Sequence, residues 1–306
     1  MSNPVSSNIR LKAHLPADFL TQKKDDHGIV LCKIDNTESF LFHQKHTKGA
    51  HLRKLTNVKF HQIQWETPYY NKVLESFLEG MDLKGKTILD FGCGDGRFTQ
   101  FLIDKGADRL YCVDFDYATL HSLSEYVKEK GLEDKVTIIH SDFDNLPFEG
   151  EQFDLVLSIG VIYYLNERYE EVVKTFHQLM HPKALFITSD PELEGFFLRT
   201  LLFDSLPDAI EVFERRRFKE TKDKTGFSFR VFDKEEWKKI FTQAGFEIID
   251  HKGISLFHNL LRVLHLRGII SEKEIEANES SVWKIFDYLH DHGELHKHLL
   301  WKLQKP

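Results

Sequence analysis

"ILDFGCGDGRF", residues 88–98, decides how the chain is read. A short apolar run stops at an acid, Asp90. Glycines follow at 92, 94 and 96, and Arg97 stands next. Glycines that close a buried strand and open a helix let a ligand approach the backbone and meet the helix N–H groups. A dinucleotide favours G-x-G-x-x-G, whose third glycine lets the helix pack on the sheet. Here that position is Arg97. Asp90 also speaks against a pyrophosphate, because a carboxylate repels that group and attracts a cation. A ligand with an ammonium and a sulfonium, and a carboxylate for the helix N-terminus, suits both ends of the loop.

Outward from this loop the pattern is regular. "KTILDFG" (86–92), "RLYCVDF" (109–115), "KVTIIHSD" (135–142), "FDLVLSIG" (153–160) and "ALFITSD" (184–190) read as strands. Helical stretches separate most of them: "GRFTQFLIDKG", "YATLHSLSEYVKEKG" and "ERYEEVVKTFHQLM". Strands alternating with helices predict an α/β fold, a parallel sheet covered on both faces. Upstream, "GIVLCKI" (28–34) and "SFLFHQ" (39–44) read as a β-hairpin within an N-terminal extension, 1–66. Thr67-Pro68 reads as the start of a helix, Thr as N-cap and Pro at the first position. Residues 191–229 and 253–297 interrupt the alternation and read as helical cap insertions in a domain spanning 67–306. Between them lie a helix, "DKEEWKKIFTQAG", and a strand, "FEIIDH"; "HLLWKLQK" closes the chain as a last strand.

Residues 86–190 resemble the core of class I S-adenosylmethionine-dependent methyltransferases, nearest the small-molecule, type 11-like branch. "DFGCGDG" matches the family's D/E-x-G-x-G-x-G motif, and "SDFDNLPFEGEQFDLVLSIGVIYYL" (141–165) resembles its "ADAEDLPFPDNSFDVV" stretch. The resemblance implies a Rossmann-like, doubly wound, seven-stranded sheet whose last strand lies antiparallel beside the fifth. It implies S-adenosyl-L-methionine as cofactor, held by Asp90, Gly92, Cys93, Gly94 and Gly96 of the loop. Asp114, ending "CVDF", would take the ribose hydroxyls, with Phe115 beside the adenine. Asp142 would contact the adenine amino group, with Phe143 next to it; Ser158, Ile159 and Gly160 would line the methionine side. An acid about 20 residues past the glycine loop is also where a doubly wound sheet places a ribose diol. The family's glycine pair before the fifth strand is replaced here by "HPKA" (181–184).

Methyl transfer is an in-line displacement, so much of the rate comes from alignment in a site closed to water. A base is needed only when the acceptor is a poor nucleophile. No catalytic residue is therefore assigned. Tyr164 is a candidate for the transfer channel, or an aromatic packed on a helix; Asp190 is a candidate base or acceptor ligand, or a turn cap. Tyr69, Tyr70 and Tyr163 complete the acceptor-site candidates, and with Trp65 the first two have core packing as the plain alternative. Amino-group methyltransferases acting on nucleobases or glutamine carry N/D/S-P-P-Y/F after the fourth strand, where this chain has "SIGVIYY". None of the three cysteines, Cys32, Cys93 and Cys112, lies near strands four or five, as carbon-5 pyrimidine methylation would need.

Composition narrows the partners. The 306 residues carry 41 Lys plus Arg against 48 Asp plus Glu, which does not suit a nucleic-acid protein relying on overall charge. Arg215, Arg216 and Arg217 with Lys219, Lys222, Lys224 and Arg230 form a basic stretch, read as an anion or RNA site or as a solvated face diluted by Glu214, Glu220 and Asp223. His43, His46 and His51, near Cys32, and His290, His292, His296 and His298 have no established ligand spacing, so no metal is expected. "SLFHNLLRVLHLRG" reads as a lid over an apolar pocket rather than a membrane contact. No signal peptide and no membrane span is read, and the cysteine usage fits a reducing, cytoplasmic setting. The expectation is a methyltransferase acting on O, N or C of a small-molecule acceptor, apolar or anionic. The alternatives are an RNA or protein methyltransferase using residues 215–230, and a non-catalytic methyltransferase-like subunit of a complex.

Overall fold

A computed structural model of the chain describes residues 9–34, 62–165, 167–219, 228–293 and 295–306. Its centre is an eight-stranded sheet of order β1-β4-β3-β2-β5-β6-β10-β9. The strands are β1 (Ile29–Leu31), β2 (Thr87–Phe91), β3 (Arg109–Asp114), β4 (Val136–His140), β5 (Phe153–Ile159), β6 (Met180–Pro191), β9 (Glu247–Ser255) and β10 (His296–Gln304). After β1 at one edge, the chain crosses to the middle with β2, adds β3 and β4 on one side, then returns to add β5 and β6 on the other. The reversal between β2 and β5 is the switch point at whose carboxyl end an open α/β sheet binds ligands. Only β10 runs against its neighbours, antiparallel to both β6 and β9.

Strand alternation builds a core on each face. Leu89, Phe91, Tyr111, Val113 and Val156 point into one cluster, with Phe176 and Trp237. Ile88, Leu110, Cys112, Leu155 and Leu157 point into the other, with Tyr70, Leu74 and Phe77. A period of two therefore feeds both layers, which is why the strands are apolar at nearly every position. The covering helices include α1 (Gln62–Phe77), α2 (Arg97–Asp104), α3 (Tyr117–Glu129) and α4 (Tyr169–Leu179). Asp116 caps α3 by accepting the Ala118 amide, so the strand-to-helix turn after β3 stops on its own side chain.

The seven expected strands are present, and β1 adds an eighth. β1 is the first arm of the expected hairpin, but it pairs in parallel with β4 at the sheet edge, Val30 opposite Ile139. The second arm, 39–44, lies outside the described residues, as do His43, His46 and His51. Thr67-Pro68 does not start a helix: α1 already runs from Gln62, with Pro68 inside it. The division at 66/67 thus falls within a helix, and β1 belongs to the same sheet as the rest.

The first insertion holds α5 (Leu193–Phe203), α6 (Leu206–Arg215) and a small antiparallel pair, β7 (Arg217–Lys219) with β8 (Ser228–Arg230). After α7 (Lys234–Gln243), the second holds α8 (Phe257–Leu266), α9 (Glu272–Ala277) and α10 (Glu279–His292). It begins later than expected, because β9 continues to Ser255. After Ser271 the helical stretch is broken at Asn278 into α9 and α10. Both insertions leave the sheet at the carboxyl ends of parallel strands, β6 and β9.

α5 rests on the start of β10 through Gly195. A Cβ there would stand 2.1 Å from the His296 carbonyl oxygen and 2.7 Å from Lys297 Cα, both backbone. Alanine normally stabilises a helix by about 1 kcal/mol over glycine. Here Gly195→Ala is expected to lower stability by about 1–3 kcal/mol in urea unfolding; an unchanged or raised midpoint would contradict the packing of α5 on β10.

Candidate functional site

The glycine loop is built by close approach and by one acid. Gly92 has φ 75°, and a Cβ on it would lie 2.2 Å from Val161 Cγ2. The absence of a side chain lets the loop after β5 seat directly on the loop after β2. Gly96, at φ 93°, turns the chain into α2. The Gly92 and Cys93 amides both donate to the Val113 carbonyl, at 2.8 and 3.1 Å. The Gly94 amide donates to Asp114 Oδ2 at 2.8 Å, and the Asp116 amide to Oδ1 at 2.9 Å. Asp114 thus pins the loop while remaining at the mouth of β3.

Beside the loop a cleft opens. Six residues singled out in the sequence line it together: Gly92, Asp114, Phe115, Asp142, Phe143 and Tyr164. Phe91, Ser141, Val161 and Leu165, each next to a residue singled out in the sequence, complete the wall. Asp142 holds its own turn, accepting from the Asn145 amide at 3.0 Å and side-chain nitrogen at 2.8 Å. The cleft therefore offers two acids among aromatic walls, which suits a nucleoside: hydrogen-bond acceptors for hydroxyl and amino groups, rings for a base.

Other candidates lie elsewhere. Asp90 does not line the cleft. It is buried, and its Oδ2 accepts from the Thr99 hydroxyl of α2 at 2.6 Å. Burial pushes its carboxyl up to about 7, the Thr99 hydroxyl opposing the rise and the Asp114 charge adding to it. Asp90 is thus a buried tie between β2 and α2. Cys93 is buried. Ser158 and Ile159 end β5 and Gly160 follows, the Ser158 carbonyl accepting from the Thr188 hydroxyl and the Gly160 amide donating to the Ser189 carbonyl.

Asp190 takes the turn-cap role. Oδ1 accepts the Tyr163 amide at 3.2 Å and Oδ2 the Thr188 hydroxyl at 3.0 Å. Burial pushes it up to about 8 against those bonds. It thus holds the 3-10 turn Ile162–Tyr164, in which the Tyr163 and Tyr164 rings lie tilted 4.1 Å apart. Tyr69 packs with Trp283, Phe286 and His290 of α10. Tyr70 pairs its hydroxyl with His298 Nδ1 at 2.7 Å, and burial lowers that imidazole to about 3, so it stays neutral.

A second polar group was not foreseen. Glu66 Oε1 accepts from Lys297 Nζ at 2.6 Å and pairs with His258 Nε2 at 2.8 Å, all three buried. Burial alone would raise the Glu66 carboxyl; Lys297 and His258 hold it well below the usual range. The partners lie 192 and 231 residues away along the chain, so no local spacing announces them. In the basic stretch each described arginine faces an acid: Arg215 with Glu211, Arg216 with Asp233, Arg217 with Glu167 and Arg230 with Glu236. Lys222 and Lys224 lie outside the described residues. Among the described residues no three His, Cys, Asp or Glu side chains gather closely enough for a metal ion. No described helix is long and apolar enough to cross a membrane.

Residues 88–183 match the family model of a methyltransferase domain. Residues 88–183 thus carry a methyltransferase domain. S-adenosylmethionine is the cofactor of that family. An uncharacterized protein of Haemophilus influenzae is 24% identical over 62% of this chain and 68% of its own length. The tRNA U34 carboxymethyltransferase of Pseudomonas fluorescens is 33% identical over 30% of this chain and 29% of its own length. The chain thus spans about two thirds of one curated relative and under a third of the other. Among solved structures, phosphoethanolamine N-methyltransferase 2 of Haemonchus contortus, crystallised with phosphomonomethylethanolamine and S-adenosylhomocysteine, has a TM-score of 0.52 at 17% identity, covering 78% of this chain and 53% of its own. That likeness concerns the fold of the methyltransferase.

The raised Asp90 carboxyl fixes a sign. Its folded value, about 7, lies above the ordinary one, so the folded state holds the proton longer and loses stability as pH rises toward 7. Asp90→Asn removes that loss and keeps an acceptor for Thr99. Between pH 5.5 and 8.5 the variant should gain about 2 kcal/mol relative to the unmodified chain in denaturant unfolding. A pH-independent difference would mean that Asp90 is ionised throughout.

Proposed function

We propose that the chain is an S-adenosylmethionine-dependent methyltransferase acting on a small-molecule acceptor. The observation that carries the cofactor assignment is the cleft in which Asp114, tied to the Gly94 amide, faces Asp142, Phe115 and Phe143. Its donor set fits the group: Asp114 would take the ribose hydroxyls, and Asp142 the adenine amino group between Phe115 and Phe143. The tail would cross Gly92 and Gly94 toward Ser158, Ile159 and Gly160. When bound, the cofactor supplies an electrophilic methyl group. The chain's own part is to orient and to exclude water. Tyr164 stands at the inner wall of the cleft, and Asp190 is a positioning residue that holds the turn bearing it.

Two features support a small acceptor. The described arginines of the basic stretch each face an acid, which lowers the free charge they offer a phosphate backbone. Both insertions rise from the carboxyl ends of the sheet and bury polar groups there, Glu66 and Lys297 among them.

Two measurements test this reading. Calorimetry should detect S-adenosylhomocysteine binding, with affinity lowered roughly tenfold or more in Asp114→Ala, which removes a charge-assisted acceptor. Binding of NAD in place of S-adenosylhomocysteine would overturn the cofactor assignment. Incubation with methyl-labelled cofactor and a size-fractionated cell extract should place label in the small-metabolite fraction. Label in the RNA or protein fraction would move the acceptor to that class, and no turnover with any fraction would favour a non-catalytic subunit.

A further inference from the structure

Arg97 replaces the glycine of the dinucleotide fingerprint, and its surroundings give it work that the fold does not use. It is the first residue of α2. Its guanidinium lies over the rings of Tyr70 and Phe98, 4.9 and 4.8 Å from their centroids. Nε and Nη2 are shielded from water and have no hydrogen-bond partner among the described residues. Burying a cation with two donors unmatched is costly, and native structures rarely keep such a group without a use. These two N–H bonds share one edge of the guanidinium, the fork that fits the two oxygens of a carboxylate. Glu66, the acid that acts on Arg97 most strongly, already engages Lys297 and His258 through Oε1. Two cations, Arg97 and Lys297, thus stand within electrostatic range of this one acid.

Position selects the ligand. Asp114 ends β3 and Asp142 follows β4, on one side of the glycine loop. Tyr70, under the guanidinium, is on the other side, where Ser189 and Asp190 of β6 act on its hydroxyl. A nucleoside seated at Asp114 and Asp142 that crosses the loop brings its far end to Tyr70 and Arg97. In the proposed cofactor that far end is an amino acid.

We propose that the Nε–Nη2 edge of Arg97 holds the α-carboxylate of S-adenosylmethionine. This rests on the cofactor reading above. It gives the loop a side-chain anchor in addition to its backbone N–H groups, and it makes the residue that departs from the dinucleotide pattern a selector for an amino-acid tail.

The test compares two ligands by calorimetry on the full chain: S-adenosylhomocysteine, and methylthioadenosine, which keeps the nucleoside and sulfur but lacks the amino-acid tail. Arg97→Gln should weaken S-adenosylhomocysteine roughly 10- to 150-fold and leave methylthioadenosine unchanged. Arg97→Lys keeps the charge without the fork and should fall between. Equal losses for both ligands, or no loss for either, would overturn the assignment and leave Arg97 to packing or to the acceptor. Methylthioadenosine binding shows that each variant has a folded cleft. Should neither variant fold, the unmodified chain decides by the same ratio between S-adenosylhomocysteine and its decarboxylated analogue; equal affinities overturn the proposal. An unmodified chain that binds neither nucleoside overturns the cofactor reading, and this assignment with it.

Discussion

The hydrogen bond from the Gly94 amide to Asp114 Oδ2 ties the ends of two neighbouring parallel strands together. Without it the glycine loop would have only its own turn and the Val113 carbonyl to hold it. With it, the loop lies at a fixed depth against β3, and the acid that holds the loop also lines the cleft. The bond works because the residues around it are small. Gly92 leaves room for Val161, so the loops after β2 and β5 meet at the point where the strand order reverses. Scaffold and binding surface are here the same few atoms.

Burial sorts the acids of the site into different tasks. Asp114 accepts two backbone amides at the cleft wall. Asp90 and Asp190, deeper in the sheet, accept one hydroxyl each, Asp190 an amide besides, and both are pushed toward neutrality. They tie α2 and the Ile162–Tyr164 turn to the sheet without placing a full charge in the interior. Glu66 is the opposite case: it stays ionised because Lys297 and His258 accompany it into the core. That trio joins α1 to the second insertion, so the N-terminal helix and the cap are held by charge as well as by the packing of Tyr69 and Trp65 on α10.

What could be read in the sequence was local. The order of strands and helices from 86 to 190 follows from periodicity, and the glycine loop with Asp114 and Asp142 follows from spacing, because each lies at the end of a strand that its own pattern marks. What could not be read depends on distant partners. β1 looks like half of a hairpin until β4 is available as a parallel neighbour. Pro68 looks like a helix start until Gln62–Thr67 are seen to be helical before it. The bond from the Thr99 hydroxyl to Asp90 is visible only once α2 is packed against β2. Arg97 read only as a missing glycine; its orphaned donors are visible only once Tyr70 and Phe98 enclose them.

The most direct measurement is a crystal structure of the full chain grown with S-adenosylhomocysteine. The expected result is adenosine in the cleft beside Phe115 and Phe143, with the ribose hydroxyls on Asp114 and the tail over Gly92. Adenosine density outside that cleft, or a chain that crystallises with a dinucleotide pyrophosphate on the glycine loop, would contradict the assignment of Asp114 and the fold's switch point to this cofactor.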